Sequence, residues 1–194
     1  FLSKNSFLET IKVLDGEVFN ILYHQQRYES VLHSLGSTDY KNLIEYITPP
    51  PNGLYRCRLV YTPASIDVTY HAYTKKEIRS LKIVYDNLIE YSKKSTDRKA
   101  IDSLYEKKEN CDDILIVKNT LICDTSIANI ALYKEGVWYT PASPLLRGTT
   151  RQRYIDEGLL VPQDIRVDML KKYTKTALLN AMIDFDIITD ISFE

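Results

Sequence analysis

Residues 124–151 read DTSIANIALYKEGVWYTPASPLLRGTTR. A polar turn, 124–129, leads into an apolar strand, 127–133. Glu135-Gly136 then marks a hairpin into a second strand, 137–139. Pro141 and Pro144 make the following segment a loop. Gly148 opens a predicted helix, 149–157, which Gly158 closes. The free N–H groups of a helix start, together with the Thr149 and Thr150 hydroxyls, suit a phosphate group. The same residues also read as an ordinary capped helix start.

Working outward, 114–117 and 120–123 form a predicted hairpin about Lys118-Asn119. On the far side, 166–173 reads as a helix and 177–188 as mostly strand. Towards the N-terminus, 7–13 and 17–23 read as strands about Asp15-Gly16, a strong hairpin signal. Residues 24–35 show helical spacing, with Tyr28, Val31, Leu32 and Leu35 on one face. Thr38-Asp39 can cap a helix over 40–47, and the proline run 49–51 must be a loop. Strands follow at 54–61 and 66–73. Residues 93–108 are charge-rich with helical periodicity, and Lys93, Lys94, Arg98 and Lys99 read as a solvated face. The fold class is therefore α+β in two lobes. The seam lies between 61 and 75, giving a small domain over 1–70 and a larger one over 71–194.

The chain has 194 residues, enough to bury a substantial core. With 25 basic and 26 acidic residues the net charge is −1, which argues against a nucleic-acid partner. No apolar run reaches the ~18 residues of a membrane span, and FLSKNSFLET carries no signal-peptide pattern. Cys57, Cys111 and Cys123 form no CxxC pair, and with His24, His33 and His71 scattered no metal site is expected. An odd cysteine count without a disulfide framework suits a reducing cytoplasm.

Lys82 stands in an apolar setting, Ser80-Leu81-Lys82-Ile83-Val84. Desolvation there would lower its pKa and make it nucleophilic. A lysine on the wet face of a half-buried strand is the plainer reading. Arg56 and Arg58 alternate with Cys57, so both point to one face. They could clamp carboxylates bidentately or be a surface pair. No P-loop, HExxH or GxSxG occurs.

The order of these signals is more specific than any one of them. Phe7-Leu-Glu-Thr-Ile-Lys-Val13, then Asp15-Gly16, His24-x-x-Arg27, Lys82, Asp124-x-x-x-x-Asn129, Tyr139-Thr-Pro141 and Leu146-x-Gly-Thr-Thr-Arg151 together resemble the class IV aminotransferase family of pyridoxal-phosphate enzymes, fold type IV. The resemblance runs from residue 7 to about 183. It implies a small N-terminal lobe and a larger C-terminal lobe with pyridoxal 5'-phosphate in the cleft, and a homodimer.

Residue by residue, the resemblance implies Lys82 as the Schiff-base lysine, with Thr10 assisting proton transfer. Asp124 falls where the family has a glutamate facing the pyridine nitrogen. Arg27, Thr149, Thr150 and Asn180 fall at phosphate contacts, and Thr125 and Ser126 beside the cofactor. Arg56 and Arg58 are candidates for substrate carboxylates. Thr10 and Leu179-Asn-Ala-Met182 are similar to 4-amino-4-deoxychorismate lyase, which releases pyruvate and 4-aminobenzoate towards folate. The alternatives are an aminotransferase for D- or branched-chain amino acids and a shortened, non-catalytic member.

Overall fold

A computed structural model describes residues 6–194. The first five residues, part of the stretch read above as carrying no signal peptide, lie outside it. The chain forms two compact units. The first runs through Lys75 and includes Lys93–Asp97; the second comprises Lys76–Ser92 and Arg98–Glu194. A single cut after residue 70 therefore misses an exchange: a five-residue segment returns to the first unit.

In the first unit, β1 (Phe7–Leu14) and β2 (Glu17–Val18) precede α1 (Ile21–Ser34), and β3 (Leu54–Tyr61) and β4 (Ile66–Ala72) complete an antiparallel sheet in the order β2-β1-β3-β4. Alternation along β1 buries Phe7, Glu9, Ile11 and Val13 on one face, as a half-buried strand requires. That face carries Tyr28, Val31 and Leu32 of α1, with Cys57, Leu59 and Tyr61 of β3. Tyr28 and Tyr61 meet edge to face at 4.9 Å. The predicted second strand, 17–23, is cut to two residues because Asn20, at φ 54°, turns the chain straight into α1. The helix expected over 40–47 is only a 3-10 turn, Leu43–Tyr46. The segment is tied to α1 instead: the Lys41 N–H donates to Tyr28 Oη at 3.2 Å and the Leu43 N–H to Gln25 Oε1 at 2.8 Å.

In the second unit, β5 (Ser80–Tyr85), α2 (Lys99–Tyr105), β6 (Asp113–Lys118), β7 (Leu121–Thr125), β8 (Asn129–Lys134), β9 (Val137–Pro141), α3 (Thr149–Asp156), β10 (Val161–Gln163), β11 (Lys175–Asn180), β12 (Asp184–Ile188) and β13 (Ser192–Phe193) follow in chain order. The main sheet path is β10-β9-β8-β7-β6-β5-β13, with β11 joined to β8 and β12 to β11. β6 is central and buried on both faces. Leu115 and Val117 enter one cluster with Leu81, Ile130 and Leu178, and Ile114 and Ile116 enter another with Ile101, Leu104 and Cys123. Such a strand reads as a continuous apolar run. The helix expected over 166–173 is a 3-10 segment, Val167–Lys172. No described helix is long and apolar enough to cross a membrane.

The helix expected over 93–108 begins only at Lys99. Before it, the Lys94 carbonyl accepts the Leu8 N–H at 2.9 Å. Ser6 Oγ meets Thr96 Oγ1 at 2.6 Å. The polar segment 93–97 is thus a strap bound to β1 rather than a helical turn.

Candidate active site

The expected residues fall in both units, and each set forms its own cluster. In the first unit the cluster centres on Glu9. It occupies a core-facing position of β1 and is fully buried. Two residues one turn apart on α1 reach it. His24 Nδ1 donates to Glu9 Oε2 at 2.7 Å. Arg27 donates through Nε to Oε1 at 2.8 Å and through Nη2 to Oε2 at 2.5 Å, a fork onto both oxygens. Burial alone would raise the Glu9 carboxyl, but the Arg27 and His24 contacts outweigh it and hold it at about 2. Burial pushes His24 down, against the pull of Glu9, and the Arg27 and Lys94 charges add to that push. Because an ionised carboxylate only accepts, a neutral imidazole in this contact carries its proton on Nδ1.

The opposite face of the same sheet is cationic. Register sets Thr10, Arg58 and Thr69 in one row across β1, β3 and β4, and Lys12, Arg56 and His71 in the next. Their neighbours in sequence fill the core, so these side chains point away from it. Among the described residues neither Arg56 nor Arg58 is ion-paired. Thr10 therefore joins Arg58, not the Glu9–His24–Arg27 cluster.

In the second unit Asp124 ends β7 and pairs in register with Asn129 at the start of β8. Asn129 Nδ2 donates to Asp124 Oδ1 at 2.7 Å and to the Leu146 carbonyl at 2.9 Å. The Leu146 N–H donates to Asp124 Oδ2 at 2.9 Å. Burial pushes the Asp124 carboxyl up to about 6 despite those bonds and the nearby Arg151 charge. Each oxygen can still accept a further bond. Thr125 Oγ1 closes the turn by accepting the Ala128 N–H at 3.0 Å. Ser126 is buried, and its carbonyl accepts Arg98 Nη2 at 2.8 Å. Asn180 Nδ2 reaches the Ile127 carbonyl at 3.3 Å, while its Oδ1 accepts the Met182 and Ile183 N–H groups.

Gly148 begins α3, and no side chain caps the helix there. Thr149, Thr150 and Arg151 are all buried. Arg151 donates to the Pro141 carbonyl at 2.9 Å, and its Nε is buried without a partner. The structure thus brings Asp124, Thr125, Ser126 and Asn180 to one turn and joins that turn to α3 through Asn129. The first helical turn of α3 leaves N–H donors unsatisfied within the helix.

Lys82 requires correction. Leu81 and Ile83 pack into the core on one side of β5, and alternation sends Lys82 to the other. Its Nζ donates to Glu109 at 2.7 Å, and that bond raises its pKa. Lys82 is thus ion-paired and held protonated rather than desolvated. Lys94, read from sequence as solvated, instead lies in the strap on β1 with its charge acting on His24. Ser95-Thr96-Asp97 was the available signal: a run of cap-type residues marks a helix start after it, not before it. Glu9 was also missed. Its signal was parity, a charge in the core-facing register of an alternating strand. Among the described residues no group of His, Cys, Asp and Glu could hold a metal ion.

Comparison with known proteins extends this description. The family model for amino-transferase class IV matches residues 6–191. An uncharacterized protein of Haemophilus influenzae is 35% identical over 180 residues, covering 90% of this chain and 96% of its own. The crystal structure of a candidate 4-amino-4-deoxychorismate lyase from Haemophilus somnus superposes with a TM-score of 0.87 at 31% identity, covering 94% of this chain and 98% of that one. A hypothetical aminotransferase from Mycobacterium tuberculosis in its PLP-bound form superposes with a TM-score of 0.82 at 14% identity, covering 100% of this chain and 82% of that one.

Proposed function

The chain belongs to the class IV aminotransferase family, and on that premise we propose that it is a pyridoxal-5'-phosphate-dependent lyase similar to 4-amino-4-deoxychorismate lyase, releasing pyruvate and 4-aminobenzoate. The residues present fit the cofactor. A buried carboxyl, Asp124, suits a protonated ring nitrogen. The N-terminus of α3, with buried Thr149 and Thr150 and no capping side chain, suits a phosphate. A fork-held guanidinium, Arg27, suits the same group.

When bound, the cofactor supplies an electron sink conjugated to the substrate's amine-bearing carbon. In the second unit Thr149, Thr150 and Asn180 would hold its phosphate end, and Thr125 and Ser126 would line its ring; the resemblance adds Arg27, of the first unit, as a phosphate contact. Asp124 would keep the ring nitrogen protonated. We assign the covalent lysine to Lys94 in place of Lys82. It lies in the same unit as Arg27 and His24, whereas Lys82 is tied to Glu109. Lys94 would also move the proton at the substrate carbon, with the Thr10 hydroxyl assisting.

The observation that carries the lyase reading is the cationic face on which, among the described residues, Arg56 and Arg58 have no ion-pair partner. Arg56, Arg58 and Lys12 project from adjacent rows of one sheet. That face suits a substrate with two carboxylates better than a branched-chain amino acid. The Haemophilus somnus candidate lyase supports the same choice. A homodimer and a cytoplasmic location belong to this reading. Three buried free cysteines suit a reducing compartment.

The test is turnover of the PLP-loaded protein with 4-amino-4-deoxychorismate. Pyruvate release without a keto-acid acceptor, with KM raised at least about tenfold by Arg58→Ala as one bidentate contact is lost, is expected. Conversion of bound cofactor to its amine form by D- or branched-chain amino acids would give the aminotransferase instead. Neither reaction would leave a non-catalytic member.

A further inference from the structure

We propose that Glu9 is a positioning residue, fixing the Arg27 guanidinium in the orientation that receives an anionic ligand group. The proposal rests on the reading of Arg27 as a ligand of the cofactor phosphate. Glu9 sits where β1 otherwise buries Phe7, Ile11 and Val13, and it is 0% exposed. A packed apolar side chain would serve the core at least as well, because a buried ion pair is weak in net stability. What the carboxylate adds is geometry. Three donors converge on its two oxygens: His24 Nδ1, Arg27 Nε and Arg27 Nη2. Two of the three come from one guanidinium, so its plane is fixed by a fork. The third comes from His24, three residues earlier and on the same face of α1. His24 thereby adds a second donor to Oε2, the oxygen it shares with Arg27 Nη2, and braces the carboxylate against turning. A guanidinium on a long aliphatic stem has many rotamers. Held this way it loses little further freedom when a phosphate arrives.

A purely structural Glu9 would support the fold and nothing more. The two roles separate in the ratio of affinities for pyridoxal 5'-phosphate and for pyridoxal, which lacks the phosphate. The ratio isolates the phosphate contacts and is read from binding titrations of the apoprotein, without turnover. Glu9→Gln is expected to lower it by about tenfold, the size of one charge-assisted hydrogen bond. Arg27→Ala is expected to lower it at least as far, and Glu9→Gln in the Arg27→Ala background to add nothing. Equal weakening of both ligands by Glu9→Gln, with the ratio unchanged, overturns the proposal. A ratio that Arg27→Ala leaves unchanged overturns the phosphate reading of Arg27 itself. If Glu9→Gln does not fold, His24→Phe carries the test, since a ring without a donor removes one of the three bonds on Glu9 while keeping its charge. A fall of about threefold in the ratio is then expected, a fraction of one such bond, and no change overturns the proposal.

Discussion

Gly148→Ala is a one-methyl perturbation that the structure makes expensive. Gly148 has φ −68° and ψ 145°, a conformation alanine adopts freely. The cost is therefore not backbone strain. A Cβ built there lies 2.0 Å from Asn129 Oδ1 and 3.2 Å from its Cγ. The amide must move by more than about 1 Å to reach ordinary contact. It cannot swing away cheaply, because its Nδ2 is bonded to Asp124 Oδ1 at 2.7 Å and to the Leu146 carbonyl at 2.9 Å. Losing a bond to a charged group costs about 1.5–3 kcal/mol, and a neutral one about 1. The stiffer unfolded chain of alanine returns about 0.5–1 kcal/mol. A net loss of about 2–3 kcal/mol follows from these terms. Urea denaturation of the apoprotein would measure it, alongside a weaker affinity for pyridoxal phosphate as Asp124 loses its brace. In an Asn129→Ala background the methyl finds room, so Gly148→Ala should be nearly neutral there. A double-mutant cycle reads this as a coupling of similar size. Additive costs, or a silent Gly148→Ala in the wild type, would refute the close packing of Gly148 on Asn129.

Two further outcomes follow from buried titratable groups. In the apoprotein the folded Asp124 carboxyl, at about 6, holds its proton more tightly than the unfolded one at 3.8. Stability from this group is full below pH ~4 and falls by about 3 kcal/mol as pH rises through 6. Glu9 acts in the opposite sense: at about 2 against 4.5, it stabilises above pH 4.5 and that contribution is lost as pH falls towards 2. Denaturation curves across pH 2–7 should therefore lose the upper slope in Asp124→Asn and the lower slope in Glu9→Gln. Cys57 and Cys123, pushed by burial up to about 11, should resist a thiol reagent in the native protein at pH 8 and react once it is unfolded; rapid native labelling would contradict their burial.

Much of this was legible in the sequence because local chemistry and tertiary structure agree. The Asp15-Gly16 and Glu135-Gly136 hairpins, β3 and β4, and the start of α3 at Gly148 all carry signals that packing then reinforces. The illegible parts are those where tertiary context overrides pattern. Charged periodicity over 93–108 resembles a helix, but 93–97 is claimed by hydrogen bonds to residues distant in sequence. The flanks of Lys82 are apolar, yet strand alternation puts them on the opposite face, and its ammonium finds Glu109. Glu9 was hidden because its partners lie on α1, and no local spacing links residue 9 to 24 and 27. The chemistry of the Asp124 turn was readable as residue types. Its brace by Asn129 and Leu146 needed the fold.

The central claim is that this chain holds pyridoxal phosphate on Lys94. The direct measurement is borohydride reduction of the cofactor-loaded protein, followed by peptide mapping of the pyridoxyl group. The label is expected on Lys94, undiminished by Lys82→Ala and abolished by Lys94→Ala. A label on Lys82, or a protein that takes up no pyridoxal phosphate at all, would contradict the account.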